Sequence, residues 1–321
     1  SIIIITLSIY YLKYFYCNDN REIINQKIHE LESNFYKINE EEIKKFRKIN
    51  SDNKLIENYT FTKSNHPDIS VIITIHNQAH CIHKCIRSIQ NQSLKNLEII
   101  LIDDCSTDNS TETIEQFSKM DKRIILINHD KNEGTIKSRT DGIRLAKGKY
   151  ITIIDGDDAL IHQNILNNSL IIANLGNIDV VEFKVSMYTH GIFRGILNNY
   201  EIYQIVYQPQ LRTKFFKNGK IKVNERPIIS RSICFKLIRN EIFQRAIINI
   251  GPKYTEDFIT NYEDTIMIVA IFQTAKSYYL MKDKGYYYSR DDKRGRFPSL
   301  KNKTCKPNDK IKDMSHIKFL Q

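Results

Sequence analysis

The hydrophobic rhythm of the chain changes twice. Residues 1–16 (SIIIITLSIYYLKYFY) are nearly all apolar, interrupted by Lys13. A bilayer-spanning helix needs about 20 such residues. The segment over 1–17 therefore reads as the end of a membrane anchor, with a buried helix or an edge strand as the alternative. Tyr10, Tyr11, Tyr14 and Tyr16 suit a membrane interface. Residues 18–66 are polar, and Ile24, Ile28, Leu31 and Phe35 recur at helical spacing, which predicts a helical stem. His66-Pro67-Asp68 ends that pattern. From residue 69 short β-branched runs alternate with helical stretches. ISVIITI (69–75) reads as a strand buried on both faces, and LEIILID (97–103), RIILIN (123–128) and KYITIID (149–155) read as the strands that follow it. Helices are predicted at about 80–91, up to about 120, and at 135–146. This alternation predicts a parallel sheet with helices on both faces. Further on, the pattern predicts a helix near 162–175, a strand near 179–187 and an irregular stretch to about 227. Helices near 239–248 and 264–275 and a strand at KSYYL follow.

Composition narrows the class. The chain has 321 residues, 41% hydrophobic and 26% charged, which is globular rather than disordered. Its net charge of +11 would suit nucleic acid or an anionic surface. The basic residues gather around no single motif, so no nucleic-acid partner is expected. Six cysteines without a Cys-x-x-Cys pair indicate no zinc site.

In an open parallel sheet, ligands bind outside the carboxyl ends of the strands. Here strand one ends at His76-Asn77 and strand two at Asp103-Asp104. Strand three leads to Asn128, Asp130 and Asn132, and strand four ends at Asp155-Gly156-Asp157-Asp158. So many carboxylates at one edge call for a cation. Oxygen ligands suit Mg²⁺ or Mn²⁺, which would attract a phosphate-bearing ligand. A dinucleotide site is excluded, because His-Asn-Gln-Ala-His stands where Gly-x-Gly-x-x-Gly is required. A Walker loop is absent, and the Asp155 turn lacks the third ligand and glycine of a helix-loop-helix calcium site.

Three stretches carry a resemblance. ISVIITIHNQAHCIHKCIRSIQNQSLKNLEIILIDDCSTDNS, NEGTIKSRTDGIRLAKGKYITIIDGDDAL and YEDTIMIVAIF resemble, in order and spacing, the family 2 glycosyltransferases. The resemblance implies an A-type glycosyltransferase fold: α/β, Rossmann-like, with a mostly parallel sheet flanked by helices. It would occupy residues 67–290, with a nucleotide and metal half at 67–160 and an acceptor half at 161–290. The anchor and stem would precede it, and a basic tail at 291–321 would follow. The implied reaction is inverting transfer of a sugar from a nucleotide sugar, a UDP-sugar foremost, to a hydroxyl of a glycan, protein or lipid. Transfer to a lipid phosphate and an inactive sugar-nucleotide-binding relative are the alternatives. Membrane association, at an internal membrane such as the ER or Golgi, would follow from the anchor.

Residue by residue, the resemblance implies a donor pocket of Thr74, His76, Asp103, Asp104, Arg139 and Asp155. Asp104 would bond the base, Asp103 would support the same pocket, and His76 would stack where the family has an aromatic residue. Asp157 would hold Mn²⁺ or Mg²⁺, with Asp155 on the ribose or the metal. Asp264 would be the general base and Glu263 its orienting neighbour. Plain alternatives stand beside these. Asp103 and Asp104 could cap a helix, His76 could be a turn histidine, and Arg139 a solvated helix residue. Asp155 and Asp157 could form an ordinary turn, and Asp264 could be an N-cap. Residues 282–303, with Lys284, Arg290, Lys293, Arg294 and Arg296, read as a solvated basic surface or as a segment closing over a diphosphate.

Overall fold

The computed structural model describes residues 65–189, 192–196, 206–207, 216–217, 220–221, 232–256 and 263–289. The expected anchor, nearly all of the stem, the basic tail and most of the 188–227 stretch lie outside the described residues. Among the described residues no helix is long and apolar enough to cross a membrane.

The first half alternates as its sequence dictates: β1 (Ile69–Ile75), α1 (Ile82–Gln90), β2 (Leu97–Asp103), α2 (Ser110–Met120), β3 (Ile124–Asn128), α3 (Thr135–Leu145) and β4 (Tyr150–Asp155). Every residue of β2 is buried, as is all of β1 except the half-buried Thr74. Isoleucine suits such a strand, because its branched Cβ packs well on both pleated faces. In α1, Ile82, Cys85, Ile86 and Ile89 form a single apolar stripe, buried against the sheet. Gly148, in the tight connection from α3 to β4, is required by close approach. A Cβ there would lie 2.4 Å from the Ser70 backbone nitrogen.

The second half comprises β5 (Ala159–Leu160), α4 (Ile165–Leu175), β6 (Val180–Thr189), β7 (Ile192–Ile196), β8 (Val206–Tyr207), β9 (Phe216–Lys217) and β10 (Lys220–Ile221). These are followed by β11 (Lys236–Arg239), α5 (Asn240–Ile250), α6 (Pro252–Thr255), α7 (Glu263–Thr274) and β12 (Ser277–Ser289). The main sheet has the order β3-β2-β1-β4-β11-β6-β12-β5, with β7 beside β6 and β8 beside β12; β9 and β10 pair separately. The expected mostly parallel sheet is instead mixed. Strands β3, β2, β1 and β4 are parallel, but β11 is antiparallel to both β4 and β6. A buried charge pair fixes the register of that insertion. Lys236 sits opposite Glu182 on β6, with Nζ 3.0 Å from Oε2 and both side chains fully buried. A one-residue slip would bury two unpaired charges.

Strand β12 runs parallel to β6 and continues well past the predicted KSYYL. Its register shifts on either side of Lys284, and Lys282, Asp283 and Lys284 are exposed. The polar interruption is a bulge within a strand, so Lys284 belongs to the sheet. With β11 reversed, β6 and β12 point the same way as β4. The carboxyl ends of both halves therefore share one edge.

Candidate active site

Strand register brings the predicted residues to that edge. Asn128 aligns with Asp103, Asp103 with Ile75, and Thr74 with Asp155. The order β2-β1-β4 makes the end of β1 the point where the chain's winding reverses, the position at which open sheets form a binding crevice.

The Asp-Asp-x-Ser-x-Asp segment builds a turn from its own side chains. Asp103 accepts hydrogen bonds from the Ser106 backbone nitrogen at 3.0 Å and from the Thr111 hydroxyl. Ser106 Oγ in turn accepts from the Asn77 backbone nitrogen at 3.0 Å. Asp108 accepts from Ser110 and, at 3.0 Å, from the Ala79 backbone nitrogen. The loops after β1 and β2 are thus stitched together, and Asp103 holds the turn that follows β2. Asn77 adopts φ 54°, a left-handed conformation that Asn tolerates better than most residues.

Asp104 faces the third loop. Its Oδ1 accepts from the Glu133 backbone nitrogen at 2.8 Å and from His129 Nδ1 at 2.9 Å, and its Oδ2 accepts from the Gly134 nitrogen at 2.9 Å. Gly134, at φ 89°, caps the start of α3 in a conformation few other residues adopt. His76 Nδ1 donates to the Asp104 carbonyl at 2.8 Å. That fixes Nδ1 as the protonated nitrogen, leaving Nε2 to accept from the Asn77 and Asn132 side-chain amides at 3.2 and 3.3 Å.

His129 also approaches Asp141 on α3, Nε2 to Oδ2 at 3.3 Å. Burial opposes its charge, but the hydrogen bonds to Asp104 and Asp141 win and push it to about 9. A raised folded-state value means stability that is full below the ordinary histidine range near 6.5 and is lost as pH rises through about 9. The melting temperature is therefore expected to fall between pH 7 and pH 9.5, and His129→Asn to flatten that fall. Identical pH profiles for the two proteins would exclude the charged bridge.

At the end of β4, Asp155, Asp157 and Asp158 bring carboxylate oxygens within 4.8 Å of one another. Asp157 and Asp158 are buried and Asp155 is half-buried. Asp158 Oδ2 accepts from the Tyr286 hydroxyl at 2.8 Å, and its Oδ1 from the Ser289 backbone nitrogen at 2.8 Å. The same Tyr286 oxygen accepts from the Asp155 backbone nitrogen at 3.3 Å. Burial and the neighbouring acids push the Tyr286 phenol well above its ordinary range, so it remains a donor. An all-oxygen donor set of this density fits Mg²⁺ or Mn²⁺. Two buried thiols, Cys85 and Cys234, adjoin these acids. Burial first, then the carboxylates, pushes both well above the ordinary thiol range, which disfavours the thiolate form.

Arg139, 2% exposed, gathers three carboxylates. Its Nη2 donates to Asp155 Oδ1 at 2.9 Å, and its Nη1 to Glu263 Oε1 at 3.3 Å and to Asp264. Asp264 lies within the first turn of α7. There both acids face the positive end of the helix dipole. Burial pushes the Glu263 carboxyl up to about 7; Arg139 opposes this, while Asp264 and Asp155 add to it.

All the predicted residues whose side chains are described therefore gather at this edge, but with revised partners. Arg139, read from sequence as a donor-pocket contact or a solvated helix residue, is a buried junction between β4 and α7. Sequence reading did not assign roles to His129, Asp158 and Tyr286. His129 directly follows β3 at the same edge, a position that could have marked it. Tyr286 is the buried member of an otherwise half-buried aromatic run, and a buried hydroxyl needs a partner.

Comparison with known proteins agrees with this geometry. Residues 70–168 match the family described as Glycosyl transferase family 2. The chain is 28% identical over 199 residues to the glycosyltransferase GlyG of Streptococcus pneumoniae, covering 59% of this chain and 62% of GlyG. It is 29% identical over 213 residues to GlyA of the same organism, covering 66% of this chain and 30% of GlyA. The chain thus spans less than two thirds of the length of either relative. Among solved structures, S. aureus TarS 1-349 shares the fold, with a TM-score of 0.54 at 20% identity, covering 69% of this chain and 60% of that one. The turns that end β1 and β2 and the acids that end β4 all fall within residues 70–168, the stretch that matches the family 2 glycosyltransferases.

Proposed function

We propose that the chain is an inverting glycosyltransferase that moves a sugar from a nucleoside-diphosphate sugar, a UDP-sugar foremost, to an acceptor hydroxyl. The observation that carries this reading is the convergence of Asp155, Asp157 and Asp158 within 4.8 Å, joined through Arg139 to Asp264. A cation can offset the charge of a departing diphosphate and a carboxylate can take the acceptor's proton, and this edge offers residues for both. Further support comes from relatives named as glycosyltransferases and from a structural neighbour, S. aureus TarS 1-349, solved in complex with UDP at a TM-score of 0.51.

In this reading, His76 stacks on the base and Asp104, held by the 129–134 loop, accepts from it, while Thr74 lies along the donor. Asp157 and Asp155 hold Mn²⁺ or Mg²⁺. The ion's chemistry is to offset negative charge on the departing diphosphate. Asp264 accepts the acceptor's proton as its oxygen attacks the anomeric carbon from the face opposite the nucleotide. Residues 161–290 supply the acceptor surface. The same proposal includes membrane attachment through the apolar residues 1–17, on the strength of their composition alone.

The test is a nucleotide panel with and without Mn²⁺, read by thermal shift and by nucleotide release from sugar donors. UDP with Mn²⁺ is expected to raise the melting temperature, since ligand at about 100 times its Kd stabilises by about 2.7 kcal/mol. No response to any nucleotide, with or without the ion, would sink the reading.

A further inference from the structure

Tyr286 is fully buried, and its hydroxyl does two jobs. It donates to Asp158 Oδ2 at 2.8 Å and accepts from the Asp155 backbone nitrogen at 3.3 Å. It thereby closes a bridge across the first and last residues of the Asp155-Gly156-Asp157-Asp158 turn. The other oxygen of Asp158 is held by the Ser289 backbone nitrogen of the same strand. The ring is fixed as well: Phe235 meets it edge-on at 5.5 Å, and β5 pairs with β12 at Tyr286. Phe235 adopts φ 51°, a conformation bulky residues rarely adopt unless their surroundings impose it. The acidic turn at the end of β4 is therefore clamped to a strand that enters the sheet about 130 residues later, as the sequence separation of the Asp158–Tyr286 and Asp158–Ser289 bonds records.

We propose that Tyr286 is a positioning residue for the divalent-cation site, with Asp158 serving as the anchor through which it acts. Asp158 directs both carboxylate oxygens to β12, and this anchorage fixes the turn that carries Asp155 and Asp157, the residues assigned to the ion. Groups that orient metal ligands from behind typically change metal affinity by about 10–100-fold when removed. The inference rests on the reading above that Asp155 and Asp157 hold the cation.

The experiment is Mn²⁺ titration of the full chain, following the electron paramagnetic resonance signal of the free ion, for wild type, Tyr286→Phe, Asp158→Asn and Asp157→Asn. Tyr286→Phe keeps the ring and removes only the hydroxyl. It is expected to raise the Mn²⁺ Kd about 10-fold. The Mn²⁺ concentration for half-maximal nucleotide release should rise in parallel, with kcat recovering at saturating Mn²⁺. General structural damage would instead lower kcat at every Mn²⁺ concentration. Asp158→Asn is expected to weaken binding to a similar extent, and Asp157→Asn to abolish it. Unchanged Mn²⁺ affinity in Tyr286→Phe overturns the proposal. Loss of binding in Asp158→Asn as complete as in Asp157→Asn also overturns it, whether or not Tyr286→Phe folds, because Asp158 would then be a direct ligand. If wild type binds no Mn²⁺, the metal reading falls and the inference falls with it. If wild type binds and only Tyr286→Phe is indistinguishable from it, the inference alone fails.

Discussion

Arg139→Ala is expected to destabilise the folded chain by about 3–5 kcal/mol, the range for removing one partner of a buried ion pair. Arg139 is 2% exposed, and its guanidinium holds Asp155, Glu263 and Asp264 at once. Without it, three carboxylates would face one another with no counter-charge, and the space of the side chain would be empty. Arg139→Lys tests the geometry separately from the charge. A single ammonium cannot reproduce the fork that sends Nη2 to β4 and Nη1 to α7, so an intermediate loss is expected. Urea denaturation at neutral pH reads both variants as a shift in midpoint at constant slope. A loss below about 1 kcal/mol for Arg139→Ala, typical of an exposed pair, would show that the junction contributes little to stability. Turnover should fall in both variants, because the groups assigned to metal and to acceptor chemistry are joined only through this side chain among the contacts described.

The first half of the fold was legible because its signals are local. Four β-branched runs, each ending in polar residues, define β1 to β4; β1, β2 and β4 are buried almost throughout while the edge strand β3 is mostly half-buried, and the boundaries of β1 and β2 coincide with the sequence reading. The acids that end β2 and β4 revealed the functional edge for the same reason. What pattern reading could not supply was partnership. Strand β11 has four residues and begins with Lys236, whose charge argues against burial until Glu182 is brought opposite by β6. The exposed Lys282–Lys284 stretch looks like the end of a strand, whereas a bulge lets β12 continue and deliver Tyr286 to the acidic turn. Adjacent acids suggested a shared target, yet neighbouring residues leaving a strand point to opposite sides. Asp103 therefore builds its own turn, while Asp104 holds the 129–134 loop. Helical spacing could place Arg139 on a helix, but the α7 acids that it meets lie far away in sequence.

Asp264→Asn is expected to lower kcat by about 10³-fold, within the range for loss of a general base, while leaving nucleotide affinity unchanged. Two acids compete for that role, and they differ in reach. The Asp264 side chain is 27% exposed and that of Glu263 is 13%, so an acceptor arriving from solvent meets Asp264 first. Burial, opposed by Arg139, pushes the Glu263 carboxyl up to about 7. Its raised value means that the stability it contributes is full below the ordinary range near 4.5 and is lost as pH rises through about 7. Glu263→Gln is therefore expected to retain most of kcat and to resist denaturation better than wild type above pH 7. Geometry ranks before basicity in choosing a base, which favours Asp264. The paired variants decide it: turnover that survives Asp264→Asn and vanishes in Glu263→Gln would transfer the role to Glu263, whose basicity near neutrality already suits the task.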